Sequence, residues 1–529
     1  MHTAAAHADS GGPKTIVTDN GPVRGVVDDE VRSFRGIPYA APPVGAARWQ
    51  PPSAAARWNG LRDATAFAPH CPQNASPFGL PSQSEDCLYL NVYTPAKHSE
   101  AKKGDKPGLS PVMVWLHPGA FLYGEGDDYD PRGLVKQGAV VVTLNYRLGV
   151  LGFMAHPALT SESGTSGNFG LQDQQAALRW VHSNIEAFGG DPANVTIFGE
   201  SAGAVSVHAH MASPDSAGLF HRAIAQSGGY SLTQPTLAAA EAEGSAFATA
   251  VGCASQDSAC LRALPVATLL ANQSTSPTAY LPKVDGDVLP LSVSSAFATG
   301  QFNRVPVIEG STHDEFRLFV ATSFVFKGIP VTAATYPSLI AAALSVPLSL
   351  ALQRAGGHAV EPRSSTAQAI ATYYYPLAAY PSAAVALGAV GTDAAFACNT
   401  RVTARLLARY VPTWVYEFND PNAPQVFLPP AGFPYGAYHG AELSYLFDVR
   451  ESVAAPAFTL AQEQLADSMK LYWTQFARTA DPNSDAAPPW AAYAPTTSDS
   501  FLSLSGATPT PYTGTAFGAD HKCAVWGSP

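Results

Sequence analysis

The sequence predicts an α/β protein with a large, mixed but mostly parallel central sheet and helices on both faces. Three observations carry that expectation. From Pro111 onward fully apolar runs alternate with amphipathic stretches, the pattern of strands buried on both faces and joined by crossover helices. The stretch 169–188 places Leu171, Leu178, Val181, Ile185 and Phe188 on one helical face and stops at Gly189-Gly190. Asn194-Val195-Thr196-Ile197-Phe198-Gly199-Glu200-Ser201-Ala202-Gly203 reads as strand, sharp turn and helix.

In chain order, residues 14–40 hold short alternating segments (15–18, 22–27, 31–35) parted by Asn20-Gly21 and Asp28-Asp29, an antiparallel meander at the start of the sheet. Proline-rich loop follows through Pro42-Pro43 and Pro51-Pro52, then a strand at 88–93. The buried strands are expected at 112–116, 139–145, 195–198, 222–226, 305–309 and 413–418. Residues 310–400, rich in Ala, Pro and Tyr, interrupt this series. They read as a mainly helical insertion over the carboxyl ends of the strands, where open α/β sheets place their sites. The apolar run 339–352 is broken by Pro347 and too short to cross a bilayer, so it is expected to form a buried or pocket-lining helix pair. No linker divides residues 1–529, which are expected to fold as a single domain.

Composition narrows the function. Hydrophobic residues make up 46% and charged residues 13%, which supplies a large core. A net charge of −11 without Lys/Arg clusters disfavours a nucleic-acid partner. The first ten residues lack the basic and apolar regions of a secretory signal. Six cysteines are an even number: Cys71 and Cys87 enclose fifteen residues, Cys253 and Cys260 enclose six, and Cys398 and Cys523 remain as a long-range pair. With no Cys-x-x-Cys or Cys/His cluster to favour metal ligation, three disulfides are expected. They imply a secreted or periplasmic protein.

Gly199-Glu200-Ser201-Ala202-Gly203 is the Gly-x-Ser-x-Gly turn that, between strand and helix, forms the nucleophile elbow of an α/β-hydrolase. Acyl transfer also needs a base, an acid to orient it, and N–H donors for the oxyanion. The strand at 112–116 runs into His117-Pro118-Gly119-Ala120-Phe121, a turn of the His-Gly-Gly-Gly type that can aim backbone N–H groups at one point.

Further motifs extend the pattern: Phe34-Arg35-Gly36-Ile37-Pro38-Tyr39-Ala40 with Pro42-Pro43-Val44-Gly45, Ser84-Glu85-Asp86-Cys87-Leu88-Tyr89-Leu90-Asn91, Asn145-Tyr146-Arg147 and Gly167-Asn168-Phe169-Gly170. With the elbow, they make the chain resemble the type B carboxylesterase/cholinesterase family of α/β-hydrolases over nearly its whole length. The resemblance implies a catalytic order of Ser201, then Glu315, then His439, with Asp314 the rival acid. It implies oxyanion donors at Gly119, Ala120 and Ala202, a polar network of Glu200, Ser227 and Glu442 beside the histidine, and structural ion pairs Arg48–Glu85 and Arg147–Asp173. It also pairs Cys71 with Cys87, Cys253 with Cys260 and Cys398 with Cys523.

Two residues depart from the family turn. Pro118 replaces a glycine at a position not thought to donate, and Ala120 replaces the third glycine, narrowing the acyl side and disfavouring esters of tertiary alcohols. The Cys71–Cys87 loop holds Phe78 but no tryptophan, which removes the cation–π platform of choline ester hydrolases. The expected activity is therefore hydrolysis of small carboxylic esters, of short to medium chain or aryl type, by a monomer or weak dimer with no metal or organic cofactor. A lipase or polyester-acting hydrolase and a non-catalytic neuroligin-like binding protein are the alternatives. The segment 427–435, aromatic and proline-rich, would meet an apolar surface in the first of these and line a gorge otherwise.

Overall fold

The computed structural model describes residues 14–96, 108–276, 278–345 and 364–527. The amino-terminal stretch 1–10 and the part of the apolar run beyond residue 345 lie outside them. Among the described residues, eleven strands form one sheet. In chain order they are β1 (Val26–Val27), β2 (Val31–Pro38), β3 (Tyr89–Pro95), β4 (Ser110–Leu116), β5 (Val140–Leu144), β6 (Gly190–Glu200), β7 (Arg222–Gln226), β8 (Val307–Thr312), β9 (Thr413–Phe418), β10 (Ser500–Leu504) and β11 (Thr510–Thr513). Across the sheet they lie in the order β11-β10-β9-β8-β7-β6-β4-β5-β3-β2-β1. From β5 to β10 all neighbours are parallel, and the remaining strands at both edges pair antiparallel.

The period of two along each strand divides its side chains between two cores. Val112, Val114 and Leu116 of β4 join Ile197 of β6 on one face, covered by α1 (Phe169–Asn184) and α2 (Ala202–Ala212). Met113 and Trp115 join Phe198 and Tyr416 on the other, covered by the helix Leu460–Thr479 through Met469 and Trp473. This double burial is why the strands read as continuous apolar runs rather than alternating ones. α1 passes into a 3₁₀ turn, Ile185–Phe188, and stops at Gly189 in the left-handed conformation, φ 88°.

Several expectations shift. Thr15–Thr18 and Gly21–Arg24 do pair antiparallel, but with Arg62–Asp63 they form a separate small sheet rather than the start of the large one. β6 begins at Gly190, five residues before the predicted start, where Gly190 pairs with Ser110 ahead of a bulge. β8 begins at Val307 rather than 305, because Pro306 has no N–H for the ladder and serves only as an acceptor, from Ala223 N at 3.1 Å. β10 and β11 carry Ser, Thr and Pro, and β11 is largely exposed, so neither announces itself by hydrophobic period.

The described part of 310–400 is mainly helical, with helices Phe316–Ser323, Tyr336–Ser345, Ser364–Ala369, Ala383–Gly391 and Cys398–Leu407. Val320, Ile340, Leu387 and Val390 give it an apolar cluster distinct from the two sheet cores. The sulfurs of Cys71 and Cys87, Cys253 and Cys260, and Cys398 and Cys523 are bonded. Among the described residues no helix is long and apolar enough to cross a membrane.

Trp473 is fully buried, packs edge-on against Tyr416 at 5.3 Å and donates to Gln226 Oε1 at 3.1 Å. Trp473→Ala is expected to destabilise the chain by about 3–5 kcal/mol through the cavity it leaves, read as a fall in the urea unfolding midpoint.

Candidate active site

β6 ends at Glu200 and α2 begins at Ala202, so Ser201 alone must turn the chain, and it does so at φ 51°, ψ −118°. That conformation costs a residue with a Cβ about 1–3 kcal/mol. The surroundings enforce it. A Cβ on Gly203 would lie 1.9 Å from Leu116 O, and one on Gly199 would lie 2.5 Å from the Gly203 carbonyl carbon. Both glycines of the motif are therefore required by the approach of the turn to β4. Ser201 N donates to Gln226 O at 2.9 Å and Ser201 O accepts from Val205 N at 2.9 Å, tying the turn to β7 and to its own helix.

β4 lies beside β6 and delivers the second turn. Gly119 takes φ 113°, with Tyr123 O only 2.1 Å from where a Cβ would sit, and Ala120 and Phe121 follow at φ 56° and 59°. Gly119 O accepts from Leu122 N and Tyr123 N, at 2.9 and 3.0 Å. His117 braces the turn from behind: Nδ1–H donates to Pro118 O at 2.8 Å, and the ring stacks on Tyr146 at 4.3 Å. Burial pushes His117 down to about 4, so this ring stays neutral at working pH. Among the described residues, the backbone N–H groups of Gly119, Ala120 and Ala202 donate to no acceptor.

The loop that carries Glu315 follows β8. Glu315 is fully buried, its Oε1 accepts from Thr312 N at 2.9 Å, and its Oε2 lies 2.5 Å from His439 Nδ1. Asp314 is occupied elsewhere, by Arg317 at 2.8 Å and Ala437 N at 3.0 Å. The partner of His439 is thus Glu315. Ser201 and His439 line one cavity, yet no hydrogen bond joins them among the described residues, and the serine instead neighbours the Tyr230 hydroxyl. A hydroxyl rotor crosses between staggered wells readily, and such bonds often tighten only with substrate bound.

The polar network expected at Glu200, Ser227 and Glu442 is not closed by direct bonds. Glu442 Oε1 accepts from Gln226 Nε2 at 3.2 Å, while Glu442 Oε2 and Ser227 Oγ have no hydrogen-bond partner among the described residues. Glu200 Oε1 sits 3.2 Å from His439 Nε2 without the alignment of a hydrogen bond. Burial, then the Glu315 charge, holds the Glu200 carboxyl well above the usual range; burial, then Glu200 and Glu315, pushes Glu442 up to about 8. The two outer ion pairs form as expected, Arg48–Glu85 at 2.6 Å and Arg147–Asp173 at 2.7 Å.

Two cavities meet at Ser201 and Ala120. The larger, about 770 Å³, opens along Phe78, Phe427 and Leu428; the smaller, about 230 Å³, is walled by Tyr230, Phe319, Ala342, Ala343 and Phe396. Phe427 and Leu428 are buried, Phe427 lies beside the Phe78 ring at 5.6 Å, and all three line the larger cavity, so this end of the segment 427–435 is cavity wall. Phe319 and Phe396, whose rings flank His439 at 5.1 Å each, are not foreseen from sequence, because an aromatic residue inside an insertion carries no positional signal.

Strand order and the strained serine after the central strand make this molecule an α/β-hydrolase. Comparison with known proteins narrows the class. The model of the carboxylesterase family matches residues 12–526. Para-nitrobenzyl esterase of Bacillus subtilis is 34% identical over 508 residues, 90% of this chain and 92% of that one. Fumonisin B1 esterase of Sphingopyxis macrogoltabida is 44% identical over 311 residues, 57% of this chain and 56% of that protein. A solved PNB esterase structure superposes with a TM-score of 0.77 at 32% identity, covering 96% of this chain and 99% of its own. The chain belongs to the carboxylesterase family, and it is a carboxylic ester hydrolase.

Glu442 supplies a test of the electrostatics. A carboxyl whose pKa is raised on folding stabilises the fold fully below its unfolded value and loses that contribution as pH rises through the folded one. Glu442→Gln, which keeps an acceptor for Gln226, should therefore lose less thermal stability than the parent between pH 5 and 8, measured as the difference in Tm at the two pH values.

Proposed function

We propose that this hydrolase works through an acyl-enzyme on Ser201 and takes small carboxylic esters of short to medium chain or aryl type. The observation that supports this reading most is convergence. A histidine held by a buried glutamate at 2.5 Å, a strained serine and the Gly119-Ala120 turn border a single cavity, and Ala202 directly follows that serine. His439 removes the Ser201 proton as Oγ attacks the ester carbonyl, and Glu315 keeps the imidazole proton on Nδ1. Gly119, Ala120 and Ala202 receive the oxyanion. The imidazolium then protonates the leaving alcohol, and water repeats the cycle on the acyl-enzyme. The steps need no metal or organic cofactor.

The smaller cavity suits the acyl group and the larger one the alcohol. Ala120, which borders both, sets the passage between them. Residues 310–400, an insertion within a single 1–529 domain, supply much of the acyl wall. The three disulfides support an exported protein, secreted or periplasmic; a monomer or weak dimer is the expected state. A neuroligin-like binding role is disfavoured by a filled set of Ser201, Glu315 and His439. The buried position of Phe427 and Leu428 favours a gorge over a lipase-type surface.

Hydrolysis of p-nitrophenyl esters from acetate to palmitate tests the reading. Short chains should be preferred, and Ser201→Ala should lower kcat by roughly 10⁵-fold or more and end labelling by a serine-directed phosphonate. Glu315→Gln should cost about 10⁴-fold. A long-chain optimum would point to a lipase, and labelling that survives Ser201→Ala would refute the assignment. Ala120→Gly should raise turnover of tert-butyl esters relative to ethyl esters.

A further inference from the structure

Beside the Glu315 loop, three chain segments far apart in sequence bring two imidazoles and a carboxylate together. His313 follows β8, Glu417 lies in β9, and His521 lies in the turn after the carboxy-terminal helix Gly514–Asp520. One ligand atom from each lies within 4.8 Å of the other two. Each imidazole has Nδ1 committed to an outer carboxylate, His521 to Asp393 at 2.6 Å and His313 to Asp314 at 3.2 Å. Each then presents Nε2 to a second carboxylate, Glu417 at 2.5 Å and Asp520 at 3.1 Å. A carboxylate behind an imidazole fixes its tautomer and makes the opposite nitrogen a better ligand, which is how metal-binding histidines are held.

We propose that His313, Glu417 and His521 form a site for a divalent first-row transition metal ion, zinc in the first place, with Asp520 able to complete four-coordination. The donors select the ion. Two imidazoles with carboxylate oxygen suit zinc, whereas calcium and magnesium take shells of oxygen alone. The charge also fits, because four carboxylates face two imidazoles and a dication replaces two protons, which pass to solvent. The geometry needs an adjustment in both directions. Two ligands about 2.0 Å from a tetrahedral ion stand about 3.3 Å apart, so His521 Nε2 and Glu417 must open by less than about 1 Å, while the widest pair, at most 4.8 Å apart, closes by up to about 1.5 Å.

The frame around the site is built. The Cys398–Cys523 disulfide fixes the chain two residues past His521 to the end of the turn Thr392–Ala397, which carries Asp393. His313 N donates to Phe418 O at 2.9 Å, holding the loop to β9. Glu417 and His521 are buried, while the side chains of His313 and Asp520 are 29% and 62% exposed and give an ion its route in. None of these residues lines either of the two cavities at Ser201, and Asp520 fills the fourth position, so the ion is structural. It clamps the carboxy-terminal segment to the loop on which Glu315 follows His313 by two residues.

The test uses the full chain stripped with chelator and dialysed against zinc chloride. One zinc ion per chain by elemental analysis, an absorption-edge spectrum with two imidazole ligands, and a Tm that rises with zinc are expected. His313→Gln, at a partly exposed position, should weaken zinc binding at least ~100-fold and abolish the Tm rise, and Asp393→Asn should weaken it ~10–100-fold. No retained zinc in the parent chain overturns the proposal, as does equal zinc affinity in His313→Gln. If Asp393→Asn fails to fold, His313→Gln still decides.

Discussion

The site depends on one close approach, that of Gly203 to the carbonyl of Leu116. With no side chain on Gly203, the start of α2 can press against the end of β4, and Ser201 is forced into its left-handed conformation between them. The same contact brings the two turns side by side, because β4 and β6 are hydrogen-bonded neighbours. Ser201 and the Gly119-Ala120 turn are thus positioned by the parallel pairing of two buried strands. The strain is sustained because large apolar cores on both faces of the sheet fix those strands.

Charge around His439 follows a second constraint. Three glutamates, Glu200, Glu315 and Glu442, are buried within mutual influence, and like charges in a dry region cannot all persist. Glu315 alone of the three combines a backbone N–H donor with the imidazole of His439. Glu200 and Glu442 are driven toward the protonated form. His439 therefore faces one engaged carboxylate at Nδ1 and a raised-pKa carboxyl near Nε2, an asymmetry that favours a single imidazole tautomer.

Legibility in the sequence followed the strength of local signals. The strands at 222–226 and 413–418 were readable to the residue because double burial leaves continuous apolar runs. The elbow was readable because Gly199, Ser201 and Gly203 each meet a steric demand within five residues. His439 was not selected by any local feature, since its partner lies 124 positions away, and only the family resemblance picked it from 14 histidines. Glu315 and Asp314 were separable only by where the loop points them. The His313, Glu417 and His521 cluster was invisible for the same reason: its members are 104 residues apart in turn, and no spacing rule links them.

Specificity has a different physical origin from the chemistry. The reactive turns stand on the sheet, but the walls of both cavities come from peripheral segments, the Cys71–Cys87 loop on one side and the helices after β8 on the other. The two parts are mechanically joined. Gln73, two residues after Cys71 in that loop, accepts from Gly124 N at 2.8 Å and donates to Glu125 at 3.0 Å, just beyond the Gly119-Ala120 turn. On the other side, Phe319 touches His439 from the helix that Glu315 begins. Each wall is therefore tied by side-chain contacts to a segment next to Gly119-Ala120 or to His439 itself, so a substitution that reshapes a cavity wall also acts on that turn or on that imidazole.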